Sequence, residues 1–118
     1  MIRVSLYAAA LAALALGVPF AGGATTVQPP PPTIDSMPLN PSGSGDASFT
    51  FSDTDLTVTF QCRLDNGGFA PCVSPTNYPG LSDGSHTFDV KAVDSLLNES
   101  GVTSYTWTTV TTPPDTSG

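Results

Sequence analysis

Apolar and polar residues alternate one by one through four stretches of this chain of 118 residues. The stretches lie at 47–52, 58–64, 86–92 and 104–108, and clusters of Asn, Asp, Gly and Ser separate them. Strict alternation is typical of an antiparallel strand with one buried face and one wet face. The inward-facing residues predicted to form the core are Phe49, Phe51, Phe60, Phe88, Val90 and Trp107. We therefore predict an all-β fold, an antiparallel β-sandwich of about seven short strands.

The composition excludes some classes of function. Charged residues make up 11% of the chain and the formal net charge is −7, with only three Lys and Arg side chains. Binding to nucleic acid requires clustered basic residues, so we expect no nucleic-acid partner. The content of aromatic residues, 8%, together with the β-branched residues is too high for a fully disordered acidic chain.

The first 24 residues have the layout of a secretory signal peptide. Arg3 is followed by an apolar run from Val4 to Val18 and then by the small residues 21–24. The apolar run is shorter than the roughly 20 residues that a membrane-spanning helix needs. We predict cleavage after Ala24, a secreted or cell-surface location, and no membrane association after cleavage.

The remaining chain is divided by composition. Residues 25–32 end in four consecutive prolines and predict an extended, semi-rigid linker. The alternating pattern places the sandwich at 33–111, and residues 112–118 form a short C-terminal stub.

Two cysteines lie on either side of an Asn-Gly pair. In an oxidising compartment such a pair predicts a disulfide between Cys62 and Cys72. A two-residue loop would leave Cys72 one place out of register, whereas a three-residue loop would set the two cysteines directly opposite each other. The predicted hairpin turn is therefore Asn66, Gly67 and Gly68, with Gly68 in a left-handed conformation.

Several spaced motifs carry a resemblance to a known class of module. They include Phe-Gln-Cys-Arg-Leu-Asp-Asn-Gly-Gly-Phe at 60–69, the segment 81–94, and Tyr-Thr-Trp-Thr at 105–108. Together they resemble the immunoglobulin-like, fibronectin type III-like repeat modules of secreted and cell-surface bacterial proteins. The resemblance covers about 33–114. It implies an immunoglobulin-like sandwich, a spacer, structural or adhesive role, and no catalysis.

The resemblance also implies roles for particular residues. Cys62 and Cys72 would form the hairpin disulfide, and Trp107 would lie in the core of the last strand. The sequence departs from the module's pattern after Asp94, where a Gly-Asn turn is usual and Leu97-Asn98 stands. This departure would leave Leu96 and Leu97 exposed.

Few residues offer chemistry for a binding or catalytic site. His86 is the single histidine, and strand geometry places it on the opposite face from its neighbour Ser85, so we predict a hydrogen-bonded structural role. Asp53 and Asp55 are a weak candidate calcium site, with Asp46 and Asp94 as companions. We expect no resident metal or other cofactor.

Two further features have alternative interpretations. Tyr105 and Trp107 share a face, where they could stack on a sugar, although packing in the core is the favoured interpretation. Asn98-Glu99-Ser100 is an N-glycosylation sequon.

The sequence therefore predicts a secreted, non-catalytic module with a structural, spacer or adhesive role. Its expected partners are other copies of itself, a neighbouring module, or a cell-surface protein or glycan. The alternatives are a subunit of an extracellular fibre assembled by strand addition and a carbohydrate-binding accessory module.

Overall fold

The computed structural model describes the backbone of residues 14–16 and 18–19 and the whole of residues 27–111. Strands β1 (Leu14–Leu16) and β2 (Val18–Pro19) pair antiparallel. The rest of the predicted signal peptide, the first two linker residues and the predicted stub lie outside the described residues. In the described part of the chain, no helix combines the length and the apolar character needed to span a bilayer.

Seven strands in two antiparallel sheets form the domain, so the predicted all-β sandwich is confirmed. One sheet has three strands in the order β3-β4-β7, and the other has four in the order β6-β5-β8-β9. The strands are β3 (Thr33–Ser36), β4 (Ala47–Ser52), β5 (Thr59–Leu64), β6 (Ala70–Cys72), β7 (Thr76–Tyr78), β8 (Gly84–Val93) and β9 (Thr103–Thr109).

Aromatic side chains fill the space between the two sheets. The ring of Phe49 on β4 stacks on Phe88 of β8 at 4.0 Å between centroids and meets Trp107 of β9 edge-on at 5.3 Å. Five of the predicted core residues are buried, and the sixth, Phe60, is half-buried against the core. The alternation in β4 is visible directly, since Ala47, Phe49 and Phe51 are buried while their neighbours are exposed or half-buried. Aromatic contacts of this kind add roughly 0.5–1.5 kcal/mol per pair beyond the burial of apolar area.

The predicted hairpin register is wrong, although the hairpin holds a disulfide between Cys62 and Cys72. Cys62 lies opposite Ala70 rather than Cys72, and Cys72 lies opposite Phe60. The bridge therefore joins diagonal neighbours on the inner face, with 5.8 Å between the two Cα atoms. Diagonal side chains on one face of an antiparallel pair are neighbours, and this Cα separation lies within the usual range for a disulfide.

The predicted turn is also wrong, because it lies one residue earlier in the chain. The Gly67 N–H donates to the Leu64 carbonyl oxygen at 3.0 Å. Asp65 and Asn66, with φ of 53° and 62°, are the central residues, and Gly68 is not left-handed. Asp and Asn tolerate this conformation better than other side chains. Tertiary contacts of Asp65 with β8 hold the turn at this position.

The chain between β3 and β4 crosses to the edge of the other sheet. Ser42 donates its N–H to the Thr108 carbonyl oxygen and accepts from the Val110 N–H, both at 2.8 Å, in a parallel bridge beside β9. The Thr108 N–H donates to Asn40 Oδ1 at 3.0 Å. The N-terminal part of the domain is thereby bonded to both sheets.

Candidate functional site

His86 lies buried at the start of β8 and joins two neighbouring loops. Its Nδ1 is 2.7 Å from Asp65 Oδ2, and its Nε2 is 2.7 Å from the Ser82 carbonyl oxygen. Asp65 Oδ1 also accepts from the Thr87 N–H at 2.8 Å. The hydrogen bond to the Ser82 carbonyl oxygen, and to a smaller extent the one to the Asp65 carboxylate, raises the pKa of His86. Since both contacts are acceptors, the ring fits them best as an imidazolium, which holds the hairpin turn against β8.

The acidic loop residues are used within their own loops. Asp53 Oδ1 accepts from the Asp55 N–H at 2.9 Å, and Asp55 Oδ1 accepts from the N–H and the hydroxyl of Thr57 at 3.0 and 2.6 Å. Asp46 lies elsewhere, where its Oδ1 accepts from the Gly80 N–H. Among the described residues, no group of three or more His, Cys, Asp or Glu side chains is arranged to hold a metal ion. The carboxylates suspected of binding calcium therefore act as turn-forming groups here.

The turn between β8 and β9 is held tightly around Asp94. Its carbonyl oxygen accepts from the Leu97 N–H at 3.0 Å, and its Oδ1 accepts from the N–H groups of Leu96 and Asn98 at 2.9 and 2.8 Å. Leu97 has a φ of 67°, in the left-handed region that favours glycine. This bulged three-residue turn orients Leu96 and Leu97 toward solvent.

Three leucines at this end of the sandwich are exposed. Leu56 in the β4–β5 loop is 91% exposed, and Leu96 and Leu97 are each 80% exposed. We name Leu56, Leu96 and Leu97 the leucine tip. Beside it, a groove of 460 Å³ runs between linker residues 27–30 and the side chains of Asp55, Asp94 and Leu96. The groove places the linker, the β4–β5 loop and the β8–β9 turn at one pole of the domain.

The outer face of the four-stranded sheet carries a charged cluster. Arg63 Nε bonds Asp89 Oδ2 at 2.6 Å, and the Ser104 hydroxyl donates to Asp89 Oδ1 at 2.5 Å. Arg63 and Lys91 both contact the ring of Phe69, at 4.5 and 4.2 Å from its centroid. Lys91 also pairs with Glu99 at 2.9 Å. Arg63 and Lys91, the Arg and Lys side chains of the described residues, therefore each pair with a carboxylate and with the Phe69 ring. This face leaves no described Lys or Arg side chain unpaired.

The aromatic pair does not form a sugar-binding platform. Trp107 is 1% exposed in the core, and the Tyr105 hydroxyl donates to the Pro38 carbonyl oxygen at 2.7 Å. The idea of an exposed stacking pair is thus wrong, and the core interpretation describes both residues.

Two residues of the sequon, Asn98 and Ser100, make hydrogen bonds within the fold. Asn98 Nδ2 donates to Asp94 Oδ2 at 3.1 Å. Ser100 is buried, and its hydroxyl accepts from the Ala92 N–H at 2.8 Å. Glycan attachment at Asn98 would require this turn to open.

The edges of the two sheets leave little room for an added strand. Three of the four edge strands, β3, β6 and β7, are three or four residues long, and each has a proline within it or beside it. The fourth edge, β9, is bonded to Ser42 over its second half. Short edges containing proline resist pairing with other chains. The first half of β9 is an edge of the described domain without proline and without a neighbouring strand on its outer side.

Comparison with known proteins identifies the fold. No family model and no curated protein matches the sequence. The PKD domain of the human VPS10 domain-containing receptor SorCS2 is similar in structure, with a TM-score of 0.51 and 16% identity, over 93% of this chain and 99% of that one. The fold is an immunoglobulin-like β-sandwich.

Two further solved structures are similar at lower TM-scores. The PKD domain of an M14-like peptidase from the Thermoplasmatales archaeon SCGC AB-540-F20 has a TM-score of 0.46 and 18% identity, over 70% of this chain and 98% of that one. The fibronectin type III domain of human fibronectin type III domain containing protein 3 has a TM-score of 0.42 and 16% identity, over 81% and 98%. Identities this low concern the fold alone.

Sequence reasoning found some of these residues and missed others. It expected Leu96 and Leu97 to be exposed because the usual turn glycine is absent, and both are. It missed Leu56, since a lone leucine in an acidic loop carries no periodic signal. It also missed Asp65 as the partner of His86, because the two are 21 residues apart.

Proposed function

We propose that this protein is a secreted, non-catalytic immunoglobulin-like module that serves as a structural spacer and adhesive unit at or outside the cell surface. The observation that carries the proposal is that the chain enters and leaves the domain at opposite poles. A domain with this geometry can be placed in line between two other elements.

Contacts at the two ends define these poles. At the entry, Thr103 at the start of β9 donates its hydroxyl to the Pro32 carbonyl oxygen at 2.5 Å. At the exit, the Thr111 N–H and hydroxyl donate to Asp83 Oδ1 at 2.9 and 2.6 Å, next to the first residue of β8. The seven residues of β9 separate the poles by about 20 Å.

The described side chains also support a role without catalysis. The buried titratable groups, His86 and Asp89, are each satisfied by hydrogen bonds within the domain. The described groove beside the leucine tip is lined by apolar side chains, two amides and two carboxylates, without a nucleophile paired to a base. The disulfide and the proline linker suit an exposed module in an oxidising compartment.

Small-angle X-ray scattering on a tandem fusion of two copies of residues 25–118 tests the spacer role. An in-line spacer should give a maximum dimension near twice that of the single copy and two resolved lobes in the distance distribution. A fusion of two copies that pack side by side, with a maximum dimension close to that of one copy, would overturn the proposal. A variant with Pro29–Pro32 replaced by glycines serves as the control for the stiffness of the linker.

A further inference from the structure

The leucine tip comprises the three exposed leucines of the β4–β5 loop and the β8–β9 turn. Leu56, Leu96 and Leu97 expose 80–91% of their surface. They lie on two loops that adjoin each other, because Asp55 of one loop and Asp94 and Leu96 of the other line the same groove. Apolar side chains that stay in water contribute nothing to the stability of the fold, and clustered ones mark interaction sites. A polar residue at any of the three positions would leave the core unchanged.

The tip is held in a fixed shape before anything binds. The Asp94 carboxylate accepts three hydrogen bonds within its own turn and its carbonyl oxygen accepts a fourth. Asp55 fixes the β4–β5 loop through two bonds from Thr57. Leu97 keeps a left-handed backbone that glycine would adopt more readily. A rigid tip loses little conformational entropy on binding, so its exposed area converts efficiently into affinity.

The charge around the tip is negative and uncompensated. Thr57 lowers the pKa of Asp55 through its hydroxyl and its N–H. Desolvation raises the pKa of Asp94, but hydrogen bonds from Asn98 and Leu96 outweigh it and lower that pKa. Within residues 27–111 the ion pairs are Arg63–Asp89, His86–Asp65 and Lys91–Glu99, so neither Asp55 nor Asp94 has a cation.

We propose that the leucine tip is the docking surface for a partner protein that presents Lys or Arg side chains among aliphatic ones. The aliphatic side chains would cover Leu56, Leu96 and Leu97, and the cations would pair with Asp55 and Asp94. This assignment rests on the proposed adhesive role and names the chemistry of the partner.

Charge complementarity disfavours two other occupants. A second copy of this chain supplies few cations, because Arg63 and Lys91 are bonded on the outer face of the four-stranded sheet. An anionic membrane surface would repel the two carboxylates and the net charge of −7. A basic and aliphatic protein surface satisfies both properties of the tip.

Two-dimensional NMR titration of the ¹⁵N-labelled full chain tests the proposal. The probe is a synthetic peptide that alternates Lys and Leu, and the two control peptides replace Leu by Ser or Lys by Glu. We expect only the Lys-Leu peptide to cause chemical-shift changes. These changes should be confined to the amides of residues 53–58 and 94–98 and of the adjoining linker. The double variant Leu56→Ser, Leu96→Ser should weaken binding about tenfold or more, the factor that corresponds to about 1.4 kcal/mol.

A matched double variant, Leu39→Ser with Val73→Ser, removes two apolar side chains outside the leucine tip that are similarly exposed, at 81% and 76%. It should bind as the unchanged protein does. Equal weakening by both double variants would overturn the proposal, as would equal binding of the Lys-Ser or the Glu-Leu peptide. Shifts of the tip amides with protein concentration alone, or on addition of phosphatidylserine vesicles, would assign the tip to a second copy or to a membrane instead. None of these outcomes alters the scattering expected of an in-line spacer, so the two proposals fail independently.

Discussion

His86 shows how one side chain can make a domain's stability depend on pH. A neutral imidazole donates one hydrogen bond, yet His86 faces a carboxylate and a carbonyl oxygen at 2.7 Å each. The second acceptor is satisfied only when the ring carries its second proton. The raised pKa of His86 is therefore a consequence of its two partners.

The free energy of unfolding should accordingly fall as the pH rises above the unfolded pKa of His86, about 6.5. The pKa of His86 is higher in the folded state than the unfolded value of about 6.5. The stabilisation is complete below the unfolded pKa and is lost as pH rises through the folded pKa. Urea unfolding at a series of pH values between about 6 and about 9 measures this loss. The variant His86→Gln, which keeps one donor, should remove most of the slope, and an unchanged slope in that variant would contradict the assignment.

Leu97 gives a second prediction at the scale of one residue. A left-handed backbone costs a non-glycine residue about 1–2 kcal/mol. Leu97→Gly should therefore stabilise the domain by about 0.5–1 kcal/mol, after allowance for the greater freedom of glycine in the unfolded chain. Thermal unfolding followed by circular dichroism measures the gain. The neighbouring substitution Leu96→Gly, at a position without positive φ, is the control and should lower the melting temperature. A lower melting temperature for Leu97→Gly would show that Leu97 makes a stabilising contact.

Among the elements, the β5–β6 hairpin shows where sequence patterns predict well and where they do not. Alternation predicted strands β4, β8 and β9 and the burial of Trp107, because one buried face imposes a period of two. The Asn-Gly pair and the two cysteines, in contrast, predicted the wrong register. Local signals ranked the possible turns, but the contacts of Asp65 with His86 and Thr87 selected one that the local signals did not favour. The exposure of Leu96 and Leu97 was predicted, but the neighbouring position of the β4–β5 loop was not, since the two loops are distant in sequence.

The disulfide should be the largest single covalent contribution to the stability of this element. Closing a loop with a sequence separation of 10 contributes about 2.5–3 kcal/mol in the chain-entropy model. The double variant Cys62→Ala, Cys72→Ala should lose about that amount of unfolding free energy in urea. The unchanged protein with a reducing agent is the matched control and should show a similar loss. A loss below about 1 kcal/mol in both would mean that the hairpin contacts alone hold the element.

For the whole molecule, the predicted leader and the opposite poles describe how the domain would be placed outside a cell. The leader would deliver the chain and then be cleaved. The proline linker would extend from the entry pole, on the same side as the groove beside the leucine tip. Apart from the backbone of residues 14–16 and 18–19, the predicted leader and the stub lie outside the described residues. The leader is assigned from the sequence, because an apolar run followed by small residues marks a cleavage site whatever the fold.

Secretion can be tested by the mass of the exported protein. Expression of the full chain in a bacterial host should give a protein in the medium or periplasm that begins at Thr25. Its intact mass should be about 2 Da below that of the dithiol form, because Cys62 and Cys72 are joined. Replacement of Ala24 by a bulky residue is the control and should block processing. Retention of the whole chain in the cytoplasm with an intact N-terminus would contradict the leader assignment.

The parallel bridge between Ser42 and β9 has a mechanical consequence. The chain enters at the pole of Pro32 and leaves at the pole of Asp83, so a pull on the two ends draws the Ser42 segment and β9 in opposite directions along their own axes. The two Ser42 hydrogen bonds lie across that direction. They would be loaded in shear, at the same moment, rather than opened one after another like a zipper. A surface module under flow or traction would thus yield only when both bonds fail together.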